Sequence, residues 1–292
     1  AIICAFLSSR GGKMANILLL VVGLRGEDSG KTMVSLALMH CLAERGVRVC
    51  GFKPRAGNNL WFDYDVVYEA LSQGRLYGKD AKLLKKASNV ELLEEELNPV
   101  HRLWVEKYTW YSAYDMPAFL ADRVTLLEGS ARPLVVVNSQ MLDKYRECES
   151  ILSKLCMNAR EVILVQSIEE LNEVTQVYDK CIAQAYNKVN QICEAIIVES
   201  YSDIALPWSG LEKADAVFGV EPWSIKLYDP EKYFTAVKLS SQLKKVDEIS
   251  IGQVQRLLKP IEEIRVMPSV SDKIVEDLKN RVFPVLKRRG LI

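Results

Sequence analysis

Apolar and polar residues follow one another in blocks along the chain, and these blocks predict strands and helices in turn. Residues 17–22 form a continuous apolar run, which is typical of a buried parallel strand. Residues 31–44 have helical periodicity, and residues 47–52 predict a second strand that Lys53-Pro54 closes. Further helices are predicted at 64–72, 79–87, 145–156, 168–190, 230–244 and 270–288. Further strands are predicted at 162–166, 195–198, 216–220 and 261–266. This alternation favours an α/β fold with a mainly parallel sheet flanked by helices.

Residues 98–166 are the least regular part of the chain. Three aromatic-rich or β-rich pieces lie there, at 100–111, 122–128 and 133–138. We therefore expect a single α/β domain over 14–292, with 100–166 as an irregular, β-rich insertion or cap. The aromatic side chains of this region form either the core of the insertion, part of a dimer interface or the lining of a pocket for a planar ligand. They are Trp104, Tyr108, Trp110, Tyr111 and Tyr114.

Composition narrows the functional classes. The formal net charge of the 292 residues is zero, so no overall charge attracts nucleic acid or a membrane surface. Seven cysteines without a C-x-x-C pair favour a reducing, cytoplasmic compartment. Residues 1–13 are apolar in part but too short to span a bilayer, and we expect an upstream extension rather than a signal peptide. Two histidines provide almost no material for a His-based zinc site or a catalytic triad.

A glycine-rich loop joins the first predicted strand to the first predicted helix. Its sequence is Gly23-Leu24-Arg25-Gly26-Glu27-Asp28-Ser29-Gly30-Lys31-Thr32. In such a P-loop the glycines let backbone N–H groups point at phosphate oxygens, and the helix N-terminus adds its positive dipole end. Lys31 would reach the β- and γ-phosphates, and the Thr32 hydroxyl would bind Mg²⁺. We expect residues 26–32 to bind ATP and Mg²⁺.

The loop departs from the strict P-loop pattern at one position. Arg25 stands where that pattern has its first glycine, and Gly26 follows one residue later. Arg25 either contacts phosphate or is a solvated loop residue.

Four further residues are candidates for the same site. Glu199 ends the apolar strand 195–198 and is expected to bind the metal directly or through water, whereas the alternative is a strand-end acid facing solvent. Asp203 either assists it or caps a turn. Lys53 closes the second strand, at the edge where open α/β sheets bind ligands, and can neutralise a phosphoryl group or hold an anionic substrate. Asp80 by itself is best explained as an N-cap or first-turn acid of the helix 79–87.

These pieces, in this order, resemble the dethiobiotin synthetase family of P-loop proteins. The matching residues are Gly30-Lys31-Thr32, Gly51-Phe52-Lys53-Pro54, Asp80-Ala81, Asn98-Pro99 and Val198-Glu199. The resemblance implies that Lys31 and Lys53 act on the transferred phosphoryl group, that Thr32, Asp80 and Glu199 bind Mg²⁺, and that the chain forms a homodimer. Where that family has a Gly-Ala-Gly-Gly run, this chain has residues 200–203, Ser-Tyr-Ser-Asp. We expect a relative that kept the nucleotide machinery and changed its substrate surface.

Two classes of function fit these residues. The first is an ATP-dependent ligase or synthetase that phosphorylates a carboxylate or carbamate, which an amine then attacks. The alternative is a nucleotide-switched dimeric ATPase or GTPase that acts as an interaction or delivery protein, or a degenerate nucleotide binder. ATP is favoured over GTP because the guanine-reading motif Asn-Lys-x-Asp is absent, since Asn190 takes the place of its Asp in 187–190.

Overall fold

The structure is a computed structural model that describes residues 17–26, 28–106, 116–127, 132–244, 248–267, 269–270 and 273–292. Eleven strands and ten helices lie in these residues. The strands are β1 (Ile17–Gly23), β2 (Val49–Phe52), β3 (Arg55–Asn59), β4 (Val100–Trp104), β5 (Phe119–Val124), β6 (Leu134–Asn138), β7 (Glu161–Val165), β8 (Ala195–Glu199), β9 (Ala216–Glu221), β10 (Ser224–Tyr228) and β11 (Glu262–Arg265). The helices are α1 (Lys31–Ala43), α2 (Tyr64–Ser72), α3 (Lys79–Ala87), α4 (Glu94–Leu97), α5 (Ser139–Lys144), α6 (Cys148–Asn158), α7 (Ile168–Ile192), α8 (Pro230–Lys244), α9 (Ile251–Gln255) and α10 (Ile274–Arg288).

The first sheet has six strands in the order β11-β10-β9-β1-β8-β2. Strand β1 lies at its centre and pairs in parallel with β8 and β9, while β2 pairs in parallel with β8. Strands β10 and β11 continue the sheet in antiparallel pairs. Because β1, β8 and β2 run in one direction, their carboxyl ends meet at one edge of the sheet.

The second sheet has five strands in the order β3-β4-β5-β6-β7. The pairs β3–β4 and β6–β7 are parallel, and β5 is antiparallel to both of its neighbours. The chain is therefore an α/β protein with two mixed sheets, as the prediction of an α/β fold requires. Parallel pairs outnumber antiparallel pairs in the first sheet, whereas the second sheet was not predicted. Region 100–166 contributes four of the five strands, and β3 completes the sheet.

Apolar cores lie on both faces of each sheet. One face of the first sheet packs against α1 and α10 through residues such as Leu19, Val21 and Leu38. Its other face shares a core with α7 and the second sheet, in which Leu20, Val136 and Ile182 take part. The far face of the second sheet packs against α2 and α6. None of the helices in the described ranges is both long and apolar enough to cross a bilayer.

Candidate functional site

The carboxyl ends of β1, β2 and β8 bring the predicted site residues together. Strand β1 leads into the loop before Lys31, β2 ends one residue before Lys53, and β8 ends at Glu199. In the register of the sheet, Val21 lies beside Glu199 and Phe52 beside Val198. Parallel pairing explains why residues more than a hundred positions apart in sequence share one edge.

The loop before α1 takes the left-handed backbone conformation at two residues. Asp28 has φ 55° and Gly30 has φ 89°. Gly30 is also the N-cap of α1, and no side chain of the described residues caps that helix end. A helix end whose first backbone N–H groups have no side-chain acceptor is suited to an anion.

Lys31 is buried in this loop with only 8% of its surface exposed. Its Nζ donates to the Ser202 carbonyl at 2.8 Å and to Ser29 Oγ at 3.2 Å. Burial, followed by the nearby charge of Lys53, lowers the pKa of Lys31 to about 8. An ammonium has three donors, so one donor of Lys31 has no acceptor among the described residues.

Gly23 lets the loop close over Lys31. A Cβ at this position would lie 2.7 Å from both Lys31 Nζ and Ser29 Oγ, and 2.9 Å from the Ser202 carbonyl. By contrast, a Cβ at Gly26 would meet no atom of the described residues within 4 Å. The close-approach glycine of this loop is therefore Gly23, at the end of β1.

Oxygen atoms of three side chains meet next to the lysines. Thr32 Oγ1 lies 3.1 Å from Asp80 Oδ1 and 2.9 Å from Glu199 Oε1. A hydroxyl has one proton, so it cannot satisfy both carboxylates fully at the same time. Two oxygen ligands of an octahedral Mg²⁺ lie about 3 Å apart when each metal–oxygen distance is about 2.1 Å. The separations from Thr32 agree with that spacing.

Lys53 bridges the two carboxylates. Its Nζ donates to Glu199 Oε1 at 2.8 Å and also to Asp80 Oδ2. Burial opposes its positive charge, but the charges of Asp80 and Glu199 outweigh burial and raise the pKa of Lys53. For Asp80 the Lys53 charge likewise outweighs burial, and its pKa is lowered. Lys53 is therefore a cation at neutral pH.

Helix α3 places Asp80 in this group. Its N-cap is Gly78, and the Asp80 side chain in the first turn bonds Thr32 and Lys53 rather than capping its own helix. Gly51 on β2 makes the close packing possible, since a Cβ there would lie 2.5 Å from a methyl carbon of Leu84. The contact with β2 brings the start of α3 to Lys53.

The site fits a small, hard cation. Glu199 is fully buried, and its Oε2 atom has no hydrogen-bond partner among the described residues. Those residues contain no cluster of three or more His, Cys, Asp or Glu side chains arranged to hold a metal ion. Two carboxylates and a hydroxyl nevertheless suffice for Mg²⁺, which commonly keeps several waters and takes further ligands from substrate phosphates.

The remaining residues of the predicted loop differ in their exposure. Ser29 is buried, Gly26 is half-buried, and Asp28 and Gly30 are exposed. Glu27, predicted to bind nucleotide, lies outside the described residues.

The sequence left open the roles of Arg25 and Asp203, and each side chain has a polar partner elsewhere in the structure. The Arg25 side chain is 70% exposed and lies 3.7 Å from Glu221, so it forms a surface ion pair. Asp203 accepts from Ser250 Oγ at 2.5 Å and does not bond Thr32 in the described structure. Its charge nevertheless acts on Lys31, where it opposes the lowering of the pKa.

Of the aromatic residues that the sequence singled out between 100 and 114, the structure describes Trp104. Trp104 is half-buried against the core beside α7. The others, Tyr108, Trp110, Tyr111 and Tyr114, lie outside the described residues.

Sequence reasoning missed the Ser202 carbonyl as a partner of Lys31. Ser202 has φ 45°, which aims this backbone group at the loop. A polar run directly after a strand-end acid was the available signal, but a backbone contact leaves no residue-type signature. It also passed over His101, which is fully buried behind Lys53.

Comparison with known proteins identifies no relative. No family model matches the chain, and no curated protein matches it. The resemblance to the dethiobiotin synthetase family remains a prediction from the motifs.

Proposed function

We propose that the chain is a P-loop protein that binds ATP with Mg²⁺ and transfers a phosphoryl group to a carboxylate or carbamate, as a ligase related to dethiobiotin synthetases does. The observation that carries the proposal is the meeting of Lys31, Thr32, Lys53, Asp80 and Glu199 at one sheet edge. These are the residues that the motif resemblance selects, and they come from four separate segments of the chain.

Each side chain has a definite role in this scheme. Thr32, Asp80 and Glu199 would hold Mg²⁺, which, when bound, offsets phosphate charge and orients the nucleotide. The α1 N-terminus and the remaining donor of Lys31 receive phosphate oxygens. Lys53 places a second ammonium beside the carboxylates, where it offsets charge on the phosphoryl group that is transferred.

A nucleophile from the substrate agrees with the side chains present. Lys31 and Lys53 are cations. Asp80 and Glu199 are carboxylates that each form an ion pair with Lys53, and Thr32 is a hydroxyl. None is a free general base, whereas a carboxylate or carbamate is already an anion and needs no base to attack phosphorus. The ligase scheme therefore requires only positioning and charge stabilisation from the protein.

The exposed ion pair of Arg25 disfavours the nucleotide-switch alternative. Switch-type relatives often carry an extra lysine near the start of the loop, and Arg25 is the basic residue at that place. It lies beside Glu221 rather than over the loop.

Release of ADP distinguishes these functions. Purified protein is given Mg²⁺-ATP alone, with panels of carboxylates, or with bicarbonate and panels of amines. The ligase proposal predicts release that depends on one of these partners and is lost in Lys53→Ala, but not in the exposed-lysine control Lys86→Ala. Slow hydrolysis that no small molecule changes would favour the switch, and bound ATP with no turnover in any mixture would favour the degenerate binder.

A further inference from the structure

The backbone of Lys53 is bound by residues outside the first sheet. Lys53 lies between the end of β2 and the start of β3, so neither sheet ladder pairs it. Its N–H donates to the Leu97 carbonyl at 2.8 Å, and its own carbonyl accepts from Asn98 Nδ2 at 2.8 Å. A buried residue at a crossing between sheets needs such partners, because unpaired backbone groups are costly away from water.

The Asn98 amide has one possible orientation. Its Nδ2 donates to the carbonyls of Lys53 and Val100, the latter at 2.9 Å. The Oδ1 atom therefore faces His101 Nδ1 at 2.8 Å, and an amide oxygen can only accept. His101 Nδ1 must carry the proton, and the imidazole is the Nδ1–H tautomer.

His101 is itself held as a neutral ring. It is fully buried, and burial, followed by the charges of Arg123 and Lys53, holds its pKa well below the ordinary value. Its Nε2 has no partner among the described residues. Among the described residues, the His101 side chain therefore makes one hydrogen bond, from its Nδ1 proton to Asn98 Oδ1.

Arg123 fixes the two segments that flank Lys53. It lies opposite His101 in the register of β4 and β5. Its Nε donates to the Leu76 carbonyl at 2.9 Å and its Nη1 to the Pro99 carbonyl at 2.9 Å. One buried guanidinium thus ties the segment before Asp80 and the segment after Asn98 to the same strand.

We propose that Asn98 and His101 are positioning residues for Lys53, which hold its backbone so that its ammonium lies between Asp80 and Glu199. The inference rests on the proposed function of that site and adds two residues beside Lys53, namely Asn98 at the end of α4 and His101 on β4. The directional bonds run in series from His101 through Asn98 to the Lys53 carbonyl. A role in packing alone would need the volume of these side chains but not the Nδ1 proton.

The first test needs no nucleotide. Lysines of the purified chain are acetylated briefly with acetic anhydride, and mass spectrometry gives the labelling of Lys53 relative to exposed Lys86. The variants are His101→Leu, which removes the donor, and His101→Asn, whose Nδ2 takes the place of the imidazole Nδ1. Asn98→Ala removes the bond from the Asn98 amide to the Lys53 carbonyl. This variant replaces His101→Leu in the test if His101→Leu fails to fold.

Leu103→Ala is the matched control. Leu103 lies on the same face of β4 two residues beyond His101 and is equally buried. The Leu103→Ala substitution weakens the same sheet but removes no bond in the series that leads to Lys53. This variant therefore measures how much Lys53 labelling comes from global unfolding.

Removal of one hydrogen bond should raise Lys53 labelling about two- to tenfold in His101→Leu and Asn98→Ala. His101→Asn should restore protection, and Leu103→Ala should leave it as in the wild type. Unchanged labelling in both donor-loss variants would overturn the proposal. So would a rise in Leu103→Ala as large as in His101→Leu, or a failure of His101→Asn to restore protection.

A second test uses Mg²⁺-ATP and separates this inference from the proposed function. In His101→Leu the rate of ADP release should fall while the dissociation constant of Mg²⁺-ATP changes less than about twofold, since Lys31 and the α1 N-terminus are untouched. If the wild type binds no nucleotide, the proposed function fails, and the labelling result still decides the role of His101. Equal weakening of nucleotide binding and turnover would contradict a role exerted through Lys53.

Discussion

The two sheets use their buried polar residues in different ways. In the second sheet, Arg102 Nε and Nη2 each donate to Asp122 at 2.7 Å, and Tyr178 Oη donates to the same carboxylate at 2.7 Å. At the edge of the first sheet, Glu199 is as buried as Asp122, yet one of its oxygens has no partner among the described residues. Both acids lie beside a cation, but each oxygen of Asp122 has a partner, whereas Glu199 Oε2 has none among the described residues.

This contrast shows how a structural ion pair differs from a candidate site. A buried charge with all of its hydrogen bonds made is a closed network that stabilises one arrangement. A buried carboxylate with a free oxygen carries a cost that a metal ion or substrate can remove. Burial and charge alone do not separate Asp122 from Glu199, whereas the count of unused acceptors does.

The largest expected effect on stability is in the closed network. Asp122→Asn leaves the Arg102 guanidinium, which is 15% exposed, without its carboxylate. Breaking one partner of a buried pair costs about 3–5 kcal/mol, and the partial exposure of Arg102 favours the lower end. Chemical denaturation should show this loss, while any Mg²⁺-ATP-induced shift in melting temperature stays the same. A lost shift in a folded Asp122→Asn protein would contradict the separation of the two regions.

Glu199→Gln should affect magnesium binding more than it affects stability. Lys53 keeps Asp80 as a partner, so the free energy of unfolding should fall by only about 1–3 kcal/mol. The apparent affinity for Mg²⁺ in the presence of ATP should weaken at least about tenfold, because a charged ligand is lost. A magnesium titration at fixed ATP measures this. Unchanged magnesium dependence would remove Glu199 from the site.

A glycine pair tests the fit of the loop. Gly23→Ala places a methyl group 2.7 Å from Lys31 Nζ and should cost about 1–3 kcal/mol through overpacking. The methyl group of Gly26→Ala would meet no atom within 4 Å in the part of the chain that the structure describes, and this variant should leave the stability of the nucleotide-free protein within about 0.5 kcal/mol of the wild type. Thermal unfolding of both variants compares them, and equal stability would mean that the loop does not close over Lys31 as described.

The smallest expected effect belongs to Arg25. Its ion pair with Glu221 is exposed, and such pairs contribute about 0–1 kcal/mol. Arg25→Ala should therefore lower the free energy of unfolding by no more than about 1 kcal/mol and change the Mg²⁺-ATP affinity by no more than about twofold. A loss of affinity of tenfold or more would show that Arg25 turns to the phosphates when nucleotide binds.

Much of the fold could be predicted because its elements have strong local signals. Helices over 64–72, 79–87 and 230–244 have the predicted bounds, and the strand at 17–22 is one residue longer. Strand β3 was missed because Arg55–Asn59 has no apolar alternation and lies at a sheet edge. The division into two sheets was also missed, since pairing between distant strands leaves no local pattern.

The candidate site could be predicted only in part. Lys31 and Thr32 were predicted from the glycine-rich loop that precedes them, and Glu199 from its position at the end of an apolar strand. Asp80 needed a family resemblance, because in sequence it cannot be told from a first-turn helix acid. The Asn98–His101 bonds could not be predicted at all, because they depend on how the second sheet packs behind Lys53.

The most direct measurement is thermal unfolding of the wild type, Lys31→Ala and the control Lys86→Ala, each with Mg²⁺-ATP, Mg²⁺-GTP and Mg²⁺ alone. ATP at about a hundred times its dissociation constant should add about 2.7 kcal/mol, or about 5–10 °C in the midpoint for a domain of this size. We predict a shift with ATP that requires Mg²⁺, persists in Lys86→Ala and vanishes in Lys31→Ala. No shift with millimolar nucleotide, or an equal shift in Lys31→Ala, would contradict a nucleotide site at this sheet edge.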